Sequence, residues 1–175
     1  MSLATLTTSG RAPIAKAIVE QPLHLAWGTG SASWTEDNLP SIVGMTELVA
    51  EVGRRIPTKV GYVTPDESGD IVIPISAGAQ GAVEEARYTL VTEDTPTPYV
   101  YILTNFDYAD ASNVTIREMA VFMGGEVDTD LPDGQRYFVP SEVTDNGIML
   151  AAQIVMPTIE RSPSVRQSIE FVLPI

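Results

Sequence analysis

The chain has 175 residues and no cysteine, which excludes disulfides and zinc–thiolate sites. Hydrophobic residues make up 44% of it, which fits a globular protein with a core of its own. The formal net charge of −13 argues against nucleic-acid binding, because such a surface needs clustered cations to displace counterions from phosphates.

Two helices are predicted in the N-terminal third. Residues 9–21 begin with a capping serine, carry apolar residues at helical spacing and end before Pro22. Residues 23–27 alternate in polarity, which predicts a short strand. Residues 41–55 then combine a serine cap after Pro40, an apolar 3.6-residue period and two arginines in the last turn, all typical of a helix.

The rest of the chain predicts β-structure. Turn-rich residues 64–70 lie between two β-branched runs and indicate a hairpin. Residues 76–86 are small and predict a loop that orders on contact. Later runs have strand composition; they are residues 88–91, 99–106, 116–123, 148–155 and 169–173. Two N-terminal helices followed by a mainly antiparallel sheet or sandwich-like region give an α+β fold class.

We expect a single α+β domain at residues 1–156, followed by a C-terminal segment at residues 157–175. Prolines interrupt that segment and no packing partner is evident, so it is either an extended arm reaching a neighbouring subunit or an edge strand. Its candidate inter-subunit contacts are Arg161, Arg166 and Phe171.

The run from residue 115 to residue 122 sets Arg117 and Glu118 among apolar residues. Adjacent strand residues point to opposite faces, so one of the two faces inward in a half-buried sheet, where a buried charge needs a partner. An ion pair at an interface supplies that partner. An exposed sheet edge that carries both charges is an equal alternative.

Patterns that carry catalysis or bind cofactors are weak. His24 is the only histidine, and in a predicted strand a structural role is the more common one. Residues 128–134 place aspartate where a calcium loop needs glycine, and Gly28-Thr29-Gly30 lacks the third glycine of a dinucleotide loop. The acids Asp107 and Asp110 fit solvated surface. We expect no enzyme activity, no cofactor and no metal.

No apolar run reaches the roughly 18 residues that a membrane span needs. The N-terminus also lacks a basic region followed by an apolar one, so neither membrane insertion nor secretion is expected.

Four segments occur in the order typical of the N-terminal domains of phage tail-collar and tail-fibre proteins. They are Leu6-Thr7-Thr8-Ser9-Gly10, Trp27-Gly28-Thr29-Gly30, residues 48–54 and residues 116–122. Their order and spacing are more specific than any single piece. Over roughly residues 5–125, the chain resembles that family.

The resemblance implies a structural virion protein of the tail baseplate, assembled in the bacterial cytoplasm. Its implied partners are other tail, baseplate or fibre proteins and copies of itself, with a trimer expected. No repetitive shaft sequence follows, so we expect an adaptor that attaches fibres rather than a fibre. The alternative is a carbohydrate-binding β module that recognises the host surface through Trp34 and tyrosines.

Overall fold

The computed structural model describes residues 4–76, 83–92 and 94–175. Within these ranges the chain forms one helix, α1 (Thr8–Val19), a short 3-10 turn (Pro140–Glu142) and twelve strands. The strands are β1 (Leu23–Gly28), β2 (Glu51–Arg55), β3 (Lys59–Pro65), β4 (Ile71–Ser76), β5 (Val83–Leu90), β6 (Tyr99–Phe106), β7 (Thr115–Met123), β8 (Glu126–Val127), β9 (Tyr137–Phe138), β10 (Val143–Asp145), β11 (Ile148–Glu160) and β12 (Gln167–Pro174). The loop predicted at residues 76–86 falls mostly on residues 77–82, outside the described residues.

The predicted α+β class is wrong, because the protein is mostly β. Strands make up 47% of it, the sheets are antiparallel, and among the described residues there is a single helix of 12 residues. That helix is the first one predicted, with Thr7 rather than Ser9 as its cap: the Thr7 side chain accepts from the N–H of Gly10.

The second predicted helix does not form. Residues 41–50 are turns and irregular backbone, and Glu51–Arg55 is β2. Gly44 and the β-branched residues weaken the helix locally. Long-range contacts decide against it, since Leu48 is buried against sheet residues such as Ala120 and Phe122.

The chain divides into two compact units. The first contains residues 1–20, 58–103 and 170–175. Its strands belong to a sheet of order β12-β6-β3-β5-β4, in which β3 pairs antiparallel with β5 and β6. Val63, Ile71 and Tyr101 form its buried core cluster.

The predicted hairpin between β3 and β4 is wrong in its pairing, because β5 lies between them. The intervening turn is tied to β5. The Asp66 carboxylate accepts from the backbone and side chain of Ser68 and from the hydroxyl of Thr89. Gly69 lies so close to Tyr88 that a Cβ would be 2.3 Å from its carbonyl oxygen.

The second unit contains residues 21–57 and 104–169. Its five-stranded sheet has the order β11-β7-β1-β2-β9, and β8 and β10 form a separate pair. All of β1 is buried, on both faces, and its register sets Ala26 opposite Ala120 of β7 and Arg54 of β2. Small side chains at this crossing let Phe122 and Leu48 pack against it.

Residues 157–175 contain the end of β11 and all of β12, and the half-buried Phe171 lies on β12. The boundary at residue 157 and the role of the segment between subunits stay predictions. Within the described ranges, no helix is long and apolar enough to cross a membrane.

The turn that leads into β11 requires a glycine at position 147. Its φ is +70°, a left-handed conformation that other residues adopt at a cost. A Cβ there would lie 2.4 Å from the carbonyl oxygen of Met123 and 2.6 Å from the amide nitrogen of Gly125. By contrast, Gly124 has a φ of +73° with no atom within 4 Å of its Cβ position.

We expect Gly147→Ala to lower the free energy of unfolding by about 3 kcal/mol, because backbone strain and a backbone clash add together. The matched variant Gly124→Ala carries the strain alone and should lose about 1 kcal/mol. Urea unfolding of both variants checks this. Equal losses would show that the space around residue 147 is not limiting.

Candidate functional site

Glu118 is a carboxylate on β7 that is 0% exposed and bound by backbone amides. Its Oε1 accepts from the N–H groups of Gly30 (3.2 Å) and Ala50 (2.8 Å), and its Oε2 accepts from that of Val49 (3.0 Å). Hydrogen bonds to a charged acceptor are stronger than neutral ones. The side chain therefore fixes both ends of the irregular segment between β1 and β2, an arrangement that we call the Glu118 anchor.

The glycines of Gly28-Thr29-Gly30 make room for this anchor. A Cβ at Gly28 would lie 2.5 Å from Glu118 Oε1 and 2.6 Å from the carbonyl oxygen of Ala50. Gly30 has a φ of +52°, and a Cβ there would lie 2.1 Å from the Trp34 ring. The motif therefore serves close packing around a buried carboxylate.

Arg117 and Glu118 are not paired with each other in the described contacts. Arg117 is half-buried and donates from Nη1 to the carbonyl oxygen of Thr29 at 3.2 Å. Both side chains therefore hold the segment that follows β1, and their role at an interface stays a prediction.

An aromatic stack fills the centre of the second unit. The Trp27 ring lies 3.4 Å from that of Phe106, at an interplanar angle of 17°. Trp27 Nε1 donates to Tyr137 Oη at 3.4 Å, and Tyr137 Oη donates to the carbonyl oxygen of Val52 at 3.1 Å. Burial raises the pKa of Tyr137, so the hydroxyl stays a neutral donor. The Arg161 guanidinium lies 5.1 Å from the Trp27 ring centroid.

Arg161 is buried and uses its guanidinium to bind backbone carbonyl groups. Nη2 donates to the carbonyl oxygens of Asp107 (2.7 Å) and Asp110 (3.3 Å), and Nη1 donates to that of Val165 (2.9 Å). A planar group with several fixed donors suits this task. Arg161 thus joins the turn at residues 107–110 to the loop before β12.

Side-chain ion pairs hold the same turn. Arg55 of β2 donates from Nη1 to Asp110 Oδ2 at 2.5 Å and from Nη2 to Asp107 Oδ2 at 3.2 Å. Arg166 Nε lies 2.9 Å from Asp107 Oδ1. The expectation that Asp107 and Asp110 are merely solvated is therefore wrong, since Asp110 is buried and both acids are paired.

This turn presents an exposed surface made of Tyr108, Val165 and Arg166, which we call the Tyr108 surface. Tyr108 is 47% exposed, and the Arg166 guanidinium lies 5.1 Å from its ring centroid. Just beyond the turn, Ala111 has a φ of +46°, uncommon for a residue other than glycine. Backbone strain of this kind often accompanies a functional surface.

The structure thus brings Arg161 and Arg166 to one turn and places Arg117 and Glu118 at another. Sequence reasoning missed Arg55, which is predicted to lie in the last turn of a helix, and Tyr108, which lies between two predicted strands. A usable signal was the spacing of Asp107 and Asp110 around an aromatic residue.

Arg54 is a second buried cation, 1% exposed, with every nitrogen occupied. Nε and Nη2 donate to the two Glu51 carboxylate oxygens at 2.8 Å each, and Nη1 and Nη2 donate to the Asn146 backbone and side-chain oxygens at 3.0 Å. The Phe122 ring centroid lies 4.3 Å from the guanidinium carbon. Burial, and next the charge of Arg54, lower the pKa of His24 to about 4.

In the ranges that the structure describes, no three histidine, cysteine or acidic side chains are grouped to hold a metal ion. The buried charges instead fix loops, and the exposed Tyr108 surface has the residue types of protein interfaces. This combination is typical of a structural, partner-binding protein.

Comparison with known proteins gives the same class. Residues 3–175 match the family described as "Baseplate wedge 3 tail fiber network component", and the chain belongs to this family. No curated protein matches the chain.

Membership confirms the resemblance to phage tail proteins over nearly the whole chain. The protein is a structural component of a phage baseplate, and it is located in the virion tail. Its partners include other baseplate or tail-fibre components.

We expect Glu118→Gln to destabilise the protein by about 2–3 kcal/mol. One amide oxygen can replace Oε1, but the new NH₂ group then faces the N–H of Val49, donor against donor. Glu160→Gln is the matched control, because Glu160 is exposed and should change stability by at most about 0.5 kcal/mol. Urea unfolding at neutral pH measures both, and a Glu118→Gln variant as stable as the control would contradict the anchor.

Acid should destabilise the protein in part through His24. Its pKa falls from 6.5 to about 4 on folding, so the unfolded chain takes up a proton first as the pH drops. The stabilisation is full above pH 6.5 and is lost as the pH approaches 4. Between pH 7 and pH 4, wild type should lose about 2–3 kcal/mol more than His24→Leu. The carboxylates titrate in both proteins, so parallel stability profiles would refute this contribution.

Proposed function

We propose that the protein is an adaptor that attaches tail fibres to the baseplate by protein–protein assembly. The observation that carries the proposal is the Tyr108 surface on a chain of this family. Tyrosine and arginine are enriched among the residues that dominate binding energy at interfaces. Tyr108 and Val165 are both exposed, and Arg166 lies over the Tyr108 ring.

The turn beneath this surface is fixed before any partner binds. Arg55 holds its two carboxylates and Arg161 holds its carbonyl groups. A surface that is already ordered loses little conformational entropy on association. An adaptor that carries mechanical load between baseplate and fibre benefits from such stiffness.

The proposal includes a homotrimer, which rests on the resemblance to tail-collar and tail-fibre proteins. The segment at residues 157–175 and its residue Phe171 are its proposed inter-subunit contacts. Light scattering after size-exclusion chromatography tests the assembly state: three times the 18.8 kDa chain mass supports it, and a strict monomer at high concentration counts against it.

Trp34 does not favour the carbohydrate-binding alternative. Glycan sites present open aromatic faces, whereas Trp34 is half-buried with its ring against Gly30. We therefore propose no second function.

We expect Tyr108→Ala to lower fibre occupancy of assembled particles by about tenfold while the variant stays in the baseplate. The ring projects from a pre-formed turn, so its removal should leave the fold intact. Electron microscopy counts the fibres, mass spectrometry counts copies of the chain, and a thermal melt checks folding.

Leu39→Ala is the matched control, since Leu39 is 44% exposed in the same unit and lies outside the Tyr108 surface. It should leave fibres unchanged. Normal fibre occupancy in Tyr108→Ala, and also in the double variant with Arg166→Ala, would overturn fibre attachment through this surface.

A further inference from the structure

β11 is an edge strand with one side free. In residues 4–76, 83–92 and 94–175, the second unit's sheet ends at β11, which pairs with β7 alone. Free strand edges present unpaired N–H and C=O groups to other chains, and proteins usually protect them with lysine, proline or a covering loop. From Ile148 to Met156 the strand has neither a charged residue nor a proline.

An apolar groove of about 330 Å³ runs beside this edge. On one side it is lined by four consecutive β11 residues, Met149 to Ala152. The register of β11 against β7 shifts between Met149 and Ala151, so these four residues do not alternate strictly between the two faces of the sheet. Ile42 and Val43 line the other side, and Val43 is 94% exposed. At the start of the strand, Ile148 is 63% exposed.

The charged residues around the groove indicate which kind of partner can bind there. The second unit carries fourteen acidic residues against six arginines and no lysine. All six arginines donate to acceptors within the unit; they are Arg54, Arg55, Arg117, Arg136, Arg161 and Arg166. Of these arginines only Arg136 and Arg166 are exposed, so the outward charge is acidic. Glu160 ends β11, Asp145 lies in β10 shortly before it, and Glu47 is two residues beyond Met45 of the groove.

A second copy of the chain is a poor occupant of this edge. Antiparallel pairing of two β11 strands would bring the acids that flank the strand, Asp145 and Glu160, of one copy toward those of the other, and like charges across a sheet are destabilising. An added strand with cations at its ends would instead meet both acids with opposite charge.

We propose that the free edge of β11 accepts an extended segment of another baseplate protein, apolar at its centre and flanked by lysine or arginine. Main-chain hydrogen bonds would supply much of the affinity and the apolar groove would supply the register, as in other cases of strand addition. This inference deepens the proposed function and rests on it in taking the partner to be another protein of the particle. It concerns a surface separate from the Tyr108 surface.

The test replaces two exposed apolar residues with cations, in Val43→Lys with Ile148→Lys. These changes repel a partner with basic ends, so copies of the chain per assembled particle should fall by about tenfold. The control pair is Leu90→Lys with Val139→Lys, which makes the same charge change at exposed apolar positions elsewhere. It should be incorporated like wild type, and unchanged thermal melts establish that all of the variants fold.

The pair Val43→Glu with Ile148→Glu separates charge from apolar burial. It loses the same apolar surface but keeps the attraction to a basic partner, so its copy number should lie between that of the lysine pair and that of wild type. Hydrogen exchange adds a direct readout: amides of residues 148–156 should exchange more slowly in the particle than in the free protein.

Each other outcome counts against the inference. Normal incorporation of the lysine pair, with equal exchange of residues 148–156 in both states, overturns docking at this edge and leaves the adaptor function standing. Full incorporation with fibres missing overturns the choice of a baseplate partner. A homo-oligomer that the lysine pair dissociates overturns the exclusion of a second copy.

Discussion

The three backbone hydrogen bonds to the buried Glu118 carboxylate hold both ends of the segment that joins β1 to β2. Two of them hold Val49 and Ala50 directly before β2, and a register shift between Glu51 and Gly53 brings the Glu51 carboxylate to Arg54. Arg54 then points into the core and Arg55 to the opposite face. Arg55 holds the acids of the turn at residues 107–110, and that turn carries Tyr108. A single carboxylate thus connects the central sheet to the exposed surface, with each step a contact between named groups.

The positions of the arginines leave the surface of the second unit of this baseplate protein acidic. Four of the second unit's six arginines are buried or half-buried, so the exposed acids outnumber the exposed cations Arg136 and Arg166. Acidic copies repel one another before assembly and are drawn toward basic partners, an effect that acts mainly on association rate and specificity. In the proposed docking, the exposed apolar residues, among them Val43 and Ile148, supply the short-range part of binding. The acids that act over long range and the apolar residues that act on contact are therefore different residues of the chain.

The local sequence pattern correctly predicted the elements whose formation depends on interactions between residues close in sequence. The strands at residues 99–106 and 116–123 follow from β-branched and aromatic composition, and α1 follows from its cap and apolar spacing. The predicted second helix does not form, because the backbone N–H groups of Val49 and Ala50 bind Glu118, which lies far along the chain. The sequence of residues 41–55 alone does not contain that information. Similarly, Arg117 and Glu118 stood out as charges in an apolar strand, but their partners are backbone groups of a distant loop. Arg161 and Arg166 were predicted to contact a neighbouring subunit, and within the chain both bind the turn at residues 107–110, which the local sequence does not reveal.

Family membership assigns the chain to the baseplate and its fibre network. The structure has two candidate binding surfaces, the Tyr108 surface and the edge of β11, which differ in their residue types. The most direct measurement of this account is a high-resolution electron microscopy map of the intact baseplate. We expect fibre protein packed on Tyr108 and Arg166, with a strand of a different protein alongside β11. A map in which both surfaces face solvent, while the chain is held through other faces, would contradict it.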